Sequence, residues 1–347
     1  MADHTLRVAV IGASGYTGGE VIRLLLEHPG VELAFLSAER SAGVPVGVVH
    51  PWLRNHPAVA KLKFRPLAEL RDVDVAFSCL PTGALPQRLP LVADRAGRVL
   101  NLAGDFRLRD PKEVERHYPK TAQHPPSEEF SYFVPELSGS LPEGRFVSLP
   151  GCMAVATLYG LYPLFAGNLA SDRVIVDAKT GSTGGGRGGS EPPAERAGNF
   201  RVHKLHGHRH TPEIHQALGE FTGASMDLQF STHSLDVPRG ILVTAYSRLR
   251  EGVESLDVKR AYAKAYVGKP FVRVRPAPKA PQDFPMLKAV VGSNVAEVAV
   301  SVKDGECVTV AALDNLIKGA AGQAIQAMNL LSGFDEALGL PRTAVSP

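Results

Sequence analysis

A short β-branched run, a glycine-rich turn and an amphipathic segment follow one another at the start of the chain. Leu6 to Ile11 has the composition of a strand, residues 12–19 form the glycine-rich turn, and residues 20–26 have the apolar spacing of a helix. Glycines in such a turn let the backbone approach a pyrophosphate, whose charge the helix N-terminus stabilises. The sequence therefore predicts a Rossmann-type doubly wound parallel sheet that binds a dinucleotide. Its predicted cofactor contacts here are Gly12, Ala13, Ser14, Gly15, Tyr16, Thr17 and Gly18.

The glycine spacing is Gly-x-x-Gly-x-x-Gly and not Gly-x-Gly-x-x-Gly, so a purely structural glycine turn is the alternative. The residues after the next predicted strand, Val31 to Leu36, indicate which cofactor to expect. Glu39 is suited to ribose hydroxyls, whereas Arg40 is suited to a 2′-phosphate, with hydroxyls from Ser37 and Ser41 beside it. We predict NADPH, with Ser37 and Arg40 among its contacts.

The composition is that of an ordinary globular protein. The 347 residues suit two domains, and 44% hydrophobic and 21% charged residues exclude a disordered chain. A net charge of +3 without a basic run argues against nucleic acid as a partner, but is compatible with acidic or phosphorylated substrates. The chain has neither an apolar run of the ~20 residues that span a bilayer nor the features of a signal peptide, so we expect no membrane association.

The cysteines, Cys79, Cys152 and Cys307, form neither a disulfide framework nor a CxxC pair, which favours a reducing, cytoplasmic setting. Cys79 and Cys307 lie inside predicted strands and are expected in the core. Cys152 follows Pro150-Gly151 and precedes an Ala/Leu-rich run with helical spacing. A cysteine in the first turn of a helix is stabilised as a thiolate by unpaired N–H groups and by the helix dipole. Cys152 is therefore a candidate nucleophile, with a buried structural thiol as the alternative.

Two polar segments after Cys152 could complete a catalytic site. Residues 179–190 are rich in glycine and contain Lys179, Ser182 and Arg187, which predicts a phosphate-binding or substrate-covering loop; a plain linker is the alternative. Residues 203–215 contain a cluster of histidines without a recognised zinc spacing, so we predict no metal. A histidine just before Thr211-Pro212-Glu213 would start a new helix and suit acid/base chemistry with a thiolate. A cluster of surface histidines without a catalytic role is the alternative.

The second half of the chain predicts a different architecture. Further strands at Arg173 to Ala178, Ala296 to Val302 and Cys307 to Leu313 indicate an α+β catalytic domain with a mainly antiparallel sheet. We place the dinucleotide-binding domain at residues 1–149 and the catalytic domain at 150–315. The C-terminal segment 316–347 contains an Ala/Gln-rich helix that we expect to return to the first domain. That return would bring Asn315 close to the cofactor.

Taken in order, these motifs resemble the N-acetyl-γ-glutamyl-phosphate reductase family over nearly the whole chain. The resemblance rests on the glycine fingerprint, Pro150-Gly151-Cys152, the glycine loop, residues 207–214, Pro238-Arg239-Gly240 and residues 314–319. It implies NADPH-dependent reduction of a small-molecule acyl phosphate to a semialdehyde, with Cys152 as the nucleophile and His210 as the acid/base. His208 is the fallback for that role. The resemblance also implies a homo-oligomer, either a dimer or a tetramer.

Within the family, three segments look more like the branch that acts on aminoadipate 6-phosphate linked to the carrier LysW, a small acidic amino-group carrier protein. They are residues 40–46, 50–54 and 193–202. The free acetylated substrate of arginine synthesis is the alternative. The candidate ligands for phosphate and carboxylate are Lys179, Ser182, Arg187, His208, Arg209 and Arg239.

Two other functions are alternatives to the acyl-phosphate reductase that the resemblance implies. An NADPH-binding sensor would use the same dinucleotide fold but would have an unreactive Cys152. An enzyme of the aspartate-semialdehyde or phosphorylating aldehyde dehydrogenase type would use the same scaffold with a different substrate.

Overall fold

The computed structural model describes residues 5–126, 129–188, 195, 198–275 and 278–345. Contacts divide the chain into two compact units. The first comprises Met1–Pro135, Gly139–Pro150 and Ala320–Leu340, and the second comprises Glu136–Ser138, Gly151–Gly319 and Pro341–Pro347.

The predicted C-terminal range 316–347 differs from this grouping at both ends. Residues 316–319 belong to the second unit, and so does the segment from Pro341 onward. Backbone hydrogen bonds explain the second difference: Asn294 N–H donates to the Pro341 carbonyl at 2.8 Å, and Val345 N–H donates to the Val291 carbonyl at 2.9 Å.

In the first unit, six of the described strands form a sheet of order β2-β1-β3-β4-β6-β5, and every neighbouring pair is parallel. Residues 8–11 of β1 are fully buried, as expected for a parallel strand that is covered on both faces. The strands are β1 (Leu6–Ile11), β2 (Val31–Ser37), β3 (Val73–Ser78), β4 (Ala96–Asn101), β5 (Ser131–Tyr132) and β6 (Phe146–Ser148).

The helices of the first unit lie between these strands and at the C-terminal end of the chain. They are α1 (Tyr16–Leu26), α2 (Val46–Val49), α3 (Leu85–Arg95), α4 (Pro111–His117), α5 (Pro119–Ala122) and, from the C-terminal segment, α10 (Gly322–Leu331). Helix α10 packs on α1.

Strand β3 ends at Ser78, so the expectation that Cys79 lies inside its strand is wrong. The Cys79 carbonyl, just past the strand end, lies directly against Gly12, where a Cβ would come within 2.7 Å of it.

The second unit is built on a mixed sheet. Seven of its described strands have the order β11-β12-β13-β10-β7-β9-β8, in which only the β11/β12 and β7/β9 pairs are parallel. Together the two sheets confirm the predicted fold class. The strands are β7 (Ala170–Thr180), β8 (Arg201–Lys204), β9 (Asp227–Ser234), β10 (Ile241–Leu249), β11 (Val272–Arg275), β12 (Ala296–Lys303) and β13 (Glu306–Leu313).

Helices cover one face of this sheet and leave the other partly open. The covering elements include α6 (Cys152–Ala166), which packs on β7, β10, β12 and β13. The remaining helices of the unit are α7 (His210–Thr222), α8 (Ser255–Tyr266) and α9 (Leu287–Val290). On the open face, the apolar side chains of Ile175 and Tyr246 are 45% and 46% exposed. In the part of the chain that the structure describes, no helix combines the length and apolar character of a membrane span.

Candidate active site

Cys152 is the first residue of helix α6. Gly151 is the N-cap in an extended conformation, and its carbonyl accepts the first helical hydrogen bond, from Val155 N–H at 2.9 Å. Nearly all of α6 is buried, because its Ala/Leu-rich sequence is apolar on every side. Cys152 itself is partly exposed. The structure thus places this thiol in the first turn, beside the N–H groups that a helix start leaves without intrahelical partners.

The carboxyl group of Glu213 holds the start of α6. Glu213 Oε1 accepts a hydrogen bond from Gly151 N–H at 2.7 Å, and both groups are buried. Glu213 lies in the first turn of α7, the helix that begins at His210. Helices α6 and α7 pack on each other, so this hydrogen bond joins their N-terminal ends. No local sequence signal indicates this contact, because an acidic residue in a first turn is common at any helix start.

Two of the clustered histidines lie at the start of α7 with different contacts. His208 Nδ1 accepts the backbone N–H of His210 at 3.1 Å, so His208 caps the helix. The two imidazole rings are 4.7 Å apart, and the His208 ring also lies 5.6 Å from Phe230. Both histidines are buried, which contradicts a surface histidine cluster at these two positions.

Gly319 packs directly against Cys152. A Cβ at Gly319 would lie 2.7 Å from the Cβ of Cys152. Gly319 belongs to a π-helical turn, Ile317–Ala321, and its neighbour Lys318 forms a fully buried ion pair with Glu136 at 2.5 Å. Tyr159 OH donates to the other oxygen of Glu136 at 2.5 Å. Gly319 belongs to the sequence motif 314–319, but neither its contact with Cys152 nor this ion pair was predicted, because both join distant parts of the chain.

The other two cysteines have the surroundings of structural thiols. Burial raises the pKa of Cys307 to about 11, and burial of its sulfur also raises the pKa of Cys79. Both thiols therefore stay protonated near neutral pH. Cys307 lies in the core of the second unit, as predicted.

Arg239 and Asn315, both predicted site residues, are held by polar contacts within the second unit. The Arg239 guanidinium pairs with the buried Asp314 at 3.1 Å. Asn315 Oδ1 accepts Gly240 N–H at 2.7 Å, and its Nδ2 donates to Thr183 Oγ1 at 2.9 Å. Asn315 therefore joins the glycine loop to the start of β10.

Lys179 lies on the sheet face that α6 does not cover. Its ammonium pairs with Asp177 at 2.8 Å, and His233 Nδ1 lies 2.7 Å from the other oxygen of that carboxylate. Gly160 of α6 packs on Thr309 of β13, so Thr309 lies on the sheet face that α6 covers. Thr309 pairs with Ala245 of β10, and Ala245 pairs with Val176 of β7, so Val176 lies on that same face. Lys179 is three positions from Val176 on the same strand and so points to the opposite face. The contacts of Lys179 with Asp177 and Thr244 thus lie on the sheet face opposite α6.

The remaining substrate candidates lie in loops. Arg187 and Arg209 are exposed, and Ser182 begins a short 3₁₀ turn, Ser182–Gly185, that shapes the glycine loop. Residues 189–194 and 196–197 belong to the glycine loop and to the 193–202 segment, and they lie outside the described residues. Within the described ranges, no group of three or more His, Cys, Asp or Glu side chains is arranged to hold a metal ion.

In the first unit, the glycine turn has the geometry of a phosphate-binding loop. Gly12 has φ +81°, and a Cβ at Gly18 would lie 2.6 Å from the Gly12 carbonyl, so the loop and α1 pack too closely for side chains there. A Cβ at Gly15 would meet only the Gly12 carbonyl, at 3.6 Å, and Gly15 is the N-cap of α1. These features fit a dinucleotide pyrophosphate placed on the helix N-terminus.

The residues that the sequence singled out for cofactor selection follow β2. The Ser37 carbonyl accepts the N–H groups of Gly12 and Ala13 at 3.0 and 2.8 Å, which ties the glycine turn to the end of β2. Glu39 and Arg40 are both exposed, and Glu39 Oε1 accepts Leu67 N–H at 3.0 Å. One carboxylate oxygen of Glu39 is thus engaged by the backbone of its own unit.

Two protein-family models match the chain. The NAD binding domain of semialdehyde dehydrogenase matches residues 7–141, and the semialdehyde dehydrogenase dimerisation domain matches residues 152–315. The solved structure of aspartate semialdehyde dehydrogenase II from Vibrio cholerae, in complex with ASA, superposes with a TM-score of 0.73 at 16% identity. That alignment covers 95% of this chain and 99% of the other, and it shows the shared fold.

Full-length relatives are much closer in sequence. N-acetyl-γ-glutamyl-phosphate reductase 1 of Lactiplantibacillus plantarum is 40% identical, over 98% of this chain and 99% of its own length. A putative LysW-aminoadipate/LysW-glutamate phosphate reductase of Ignicoccus hospitalis is 38% identical, over 97% of this chain and 98% of its own. The chain therefore belongs to the semialdehyde dehydrogenase family of NAD(P)-dependent oxidoreductases, and within it to the group of N-acetyl-γ-glutamyl-phosphate reductases and their LysW-linked relatives.

Proposed function

We propose that this protein reduces an acyl phosphate to a semialdehyde through a thioester on Cys152. The observation that carries the proposal is the joining of two helix starts: Cys152 begins α6, His210 begins α7, and Glu213 of α7 accepts the Gly151 N–H. A thiol in the first turn of one helix and a buried histidine at the start of the helix packed on it provide the two groups that nucleophilic cysteine chemistry uses.

In the first half of the reaction, the Cys152 thiolate attacks the acyl carbon. A C–S bond forms, the C–O bond to phosphate breaks, and phosphate leaves with that electron pair and takes up one proton. N–H groups in the first turn of α6 would stabilise the negative oxygen of the intermediate, a role that is typically worth about 3 kcal/mol per donor. Cys152 then holds the acyl group as a thioester.

In the second half, the thioester becomes a thiohemiacetal and the aldehyde is released. The chemistry that a reduced nicotinamide cofactor supplies when bound is a two-electron reduction. His210 gives a proton to the oxygen that becomes negative and takes it back as the C–S bond breaks, and Cys152 leaves as the thiolate. The enzyme thus returns to its starting state.

The contacts at the start of α7 favour His210 over His208 for this proton transfer. His208 Nδ1 already accepts the His210 backbone N–H, which gives His208 a capping role. Because Nδ1 of His208 is engaged by the start of α7, His208 positions His210 and is less suited to exchange protons itself.

NADPH is the cofactor form that we propose. The carboxyl group of Glu39 is engaged by Leu67 N–H, and the exposed Arg40 beside it is suited to a 2′-phosphate. The other proposed contacts are the glycine turn from Gly12 to Gly18, Ser37 and Asn315.

For the substrate anion we propose Arg209, Arg239, Arg187 and Ser182. The Arg239 guanidinium is oriented by Asp314, and a guanidinium held on one side presents its remaining donors in a fixed direction. Lys179 is left out of this set because its ammonium pairs with Asp177 on the opposite sheet face.

We propose the LysW-linked aminoadipate 6-phosphate as the substrate form, and the free acetylated glutamyl phosphate as the alternative. The stretch 40–63, which contains two of the three segments that look like the carrier-linked branch, has an exposed surface that suits an acidic partner. Val48 and Trp52 are 66% and 53% exposed there. Exposed basic side chains lie along the same stretch of sequence, at Arg40, Arg54, Lys61 and Lys63.

We further propose that the open sheet face of the second unit pairs with a second copy of this chain. The family model that covers this unit describes a dimerisation domain, and partly exposed Ile175 and Tyr246 are in direct register on that face. A cytoplasmic setting is part of the proposal, since the thiolate mechanism needs Cys152 reduced.

The deciding experiment measures NADP⁺ reduction in the presence of phosphate, with N-acetylglutamate semialdehyde and with carrier-linked aminoadipate semialdehyde. Turnover of the carrier-linked substrate alone supports the proposed form, and turnover of the free substrate alone replaces it with the alternative. Turnover of both means a bifunctional enzyme.

The Cys152→Ser variant tests the thioester mechanism. It should lose turnover and alkylation by iodoacetamide while it keeps NADPH binding. Normal turnover by this variant would overturn the thioester mechanism. An inert wild-type Cys152 that turns over neither substrate would favour an NADPH sensor, and turnover of aspartate semialdehyde instead would favour the related dehydrogenases.

A further inference from the structure

His50 is a fully buried histidine that packs against the glycine turn of the first unit. It follows α2, and its backbone is held on both sides, since its N–H donates to the Val46 carbonyl at 2.8 Å and its carbonyl accepts Leu53 N–H at 2.9 Å. The reaction proposed above gives this residue no role. A buried imidazole is nevertheless costly unless its polar atoms are satisfied, so its contacts require an explanation.

The imidazole makes a hydrogen bond to the backbone of the glycine turn. His50 Nε2 lies 2.9 Å from the Ala13 carbonyl oxygen. A carbonyl oxygen only accepts, so Nε2 carries the hydrogen and donates it. On the other side of Ala13, its own N–H donates to the Ser37 carbonyl at 2.8 Å. Ala13 is thus held by hydrogen bonds through both of its backbone polar groups.

This hydrogen bond fixes a peptide plane. The carbonyl of Ala13 and the N–H of Ser14 belong to the same planar trans peptide group, in which they point in opposite directions. Because the Ala13 carbonyl points at His50, the Ser14 N–H points away from it. Backbone N–H groups of a glycine turn are the donors that meet a pyrophosphate. His50 therefore sets the direction of one such donor from the opposite side of the loop.

Packing holds the imidazole itself in place. A Cβ at Gly19, in the first turn of α1, would lie 2.6 to 3.1 Å from three atoms of the His50 ring. The ring also lies 4.9 Å from that of Trp52 and 6.0 Å from that of Phe64. With neighbours on these sides, the ring has little room to rotate away from Ala13.

We propose that His50 is a positioning residue for the dinucleotide phosphates, which acts by holding the Ala13–Ser14 peptide so that the Ser14 N–H faces the anion. The proposal rests on the glycine turn being the cofactor phosphate site. It assigns a role to the segment 50–54, which the sequence had singled out only for its resemblance to one branch of the family.

Three variants of the full-length protein separate the hydrogen bond from the packing. His50→Phe keeps a ring against Gly19 but has no hydrogen-bond donor. His50→Gln keeps an N–H donor on a flexible side chain, and His50→Ala removes both the ring and the donor. We expect the NADPH dissociation constant, measured by the cofactor's fluorescence, to rise roughly three- to tenfold in His50→Phe. In His50→Gln the change should be smaller, and in His50→Ala at least as large as in His50→Phe.

The rate of Cys152 alkylation without cofactor should stay unchanged in all three variants, because Cys152 belongs to the other unit. His56→Gln is the matched control, since His56 lies in the same region but contacts Ala58 N–H and Glu27 instead of the glycine turn. It should bind NADPH as the wild type does.

A folded His50→Phe that binds NADPH with wild-type affinity would overturn the proposal, and so would an equal loss in His50→Phe and His50→Gln. A wild-type protein that binds no NADPH would instead overturn the cofactor site itself. If His50→Ala does not fold, the comparison of His50→Phe with His50→Gln still decides the question.

Discussion

Glu213 Oε1 accepts a hydrogen bond from Gly151 N–H at 2.7 Å, which links the helix that begins at His210 to the helix that begins at Cys152. The two residues are 62 positions apart in sequence. The bond fixes the residue directly before the proposed nucleophile. It also uses one of the N–H groups that a helix start would otherwise leave without a partner.

Glu213→Ala should destabilise the protein and slow the reaction, because the buried Gly151 N–H would lose its acceptor. Leaving a buried donor unsatisfied costs about 1–3 kcal/mol, which urea denaturation would measure as a lower unfolding free energy. Glu213→Gln retains an acceptor oxygen and should recover most of that stability. Equal stabilities for Glu213→Ala and the wild type would contradict the role of this bond.

His210→Ala should lower kcat by about 100- to 10,000-fold, the usual contribution of a general acid/base, while the dissociation constant for NADPH stays the same. His208→Ala should act mainly on stability, since it removes the acceptor of the His210 N–H. Steady-state kinetics and thermal denaturation of both variants separate the two roles. The assignment reverses if His208→Ala loses more activity than His210→Ala at equal stability.

Arg40→Ala should raise the KM for NADPH about tenfold or more and leave the KM for NADH nearly unchanged, because only NADPH carries the 2′-phosphate. Arg71→Ala is the control, as Arg71 is another exposed arginine of the same unit. Initial rates with both cofactors check the prediction. A parallel rise of the two KM values in Arg40→Ala would mean that Arg40 does not select the phosphate.

The stability of the protein should fall in mild acid, in part through His28. His28 is buried, Nδ1 accepts Gly30 N–H at 3.2 Å, and Nε2 therefore donates to Asn329 Oδ1 at 2.9 Å. Burial lowers the pKa of His28 below its usual value of about 6.5. The unfolded chain takes up a proton near that pH while the folded protein does not. The contribution of His28 is thus present above about pH 6.5 and is lost as the pH falls through its lower folded pKa.

Urea denaturation of the wild type and of His28→Phe at several pH values between about 7.5 and 5 measures this effect. The loss of unfolding free energy on acidification should be smaller in His28→Phe, which has no titrating group at this position. An identical pH dependence in the two proteins would show that other groups cause the loss.

Much of the cofactor-binding unit could be predicted because its signals are local. The strand from Leu6 to Ile11, the glycine turn and the helix that follows lie within one stretch of about twenty residues, and each is encoded by its own composition and spacing. The same holds for Cys152, since Pro150, Gly151 and the apolar run after them define a helix start without any distant residue. These features are present in the sequence before any tertiary contact forms.

The partners of those residues could not be predicted in the same way. Lys179 has the charge and the predicted loop position of a phosphate ligand, yet it lies in β7, whose alternation places it with Asp177 on the face away from α6. A shift of the strand by one residue would have reversed that outcome. His208 and His210 are equivalent in sequence, and only the hydrogen bond between them distinguishes the capping residue from the proposed acid/base.

The amino-acid sequence by itself thus determined the first strand, turn and helix, the family and the position of the candidate nucleophile Cys152, because propensity, spacing and motif order act along the chain. The tertiary structure alone decided what surrounds that cysteine, namely the acceptor on Glu213 and the close approach of Gly319. It also decided which face Lys179 occupies and how His50 meets the glycine turn. The physical reason is that each of these contacts joins residues that are distant in sequence, so that it exists only once the helices and sheets have packed.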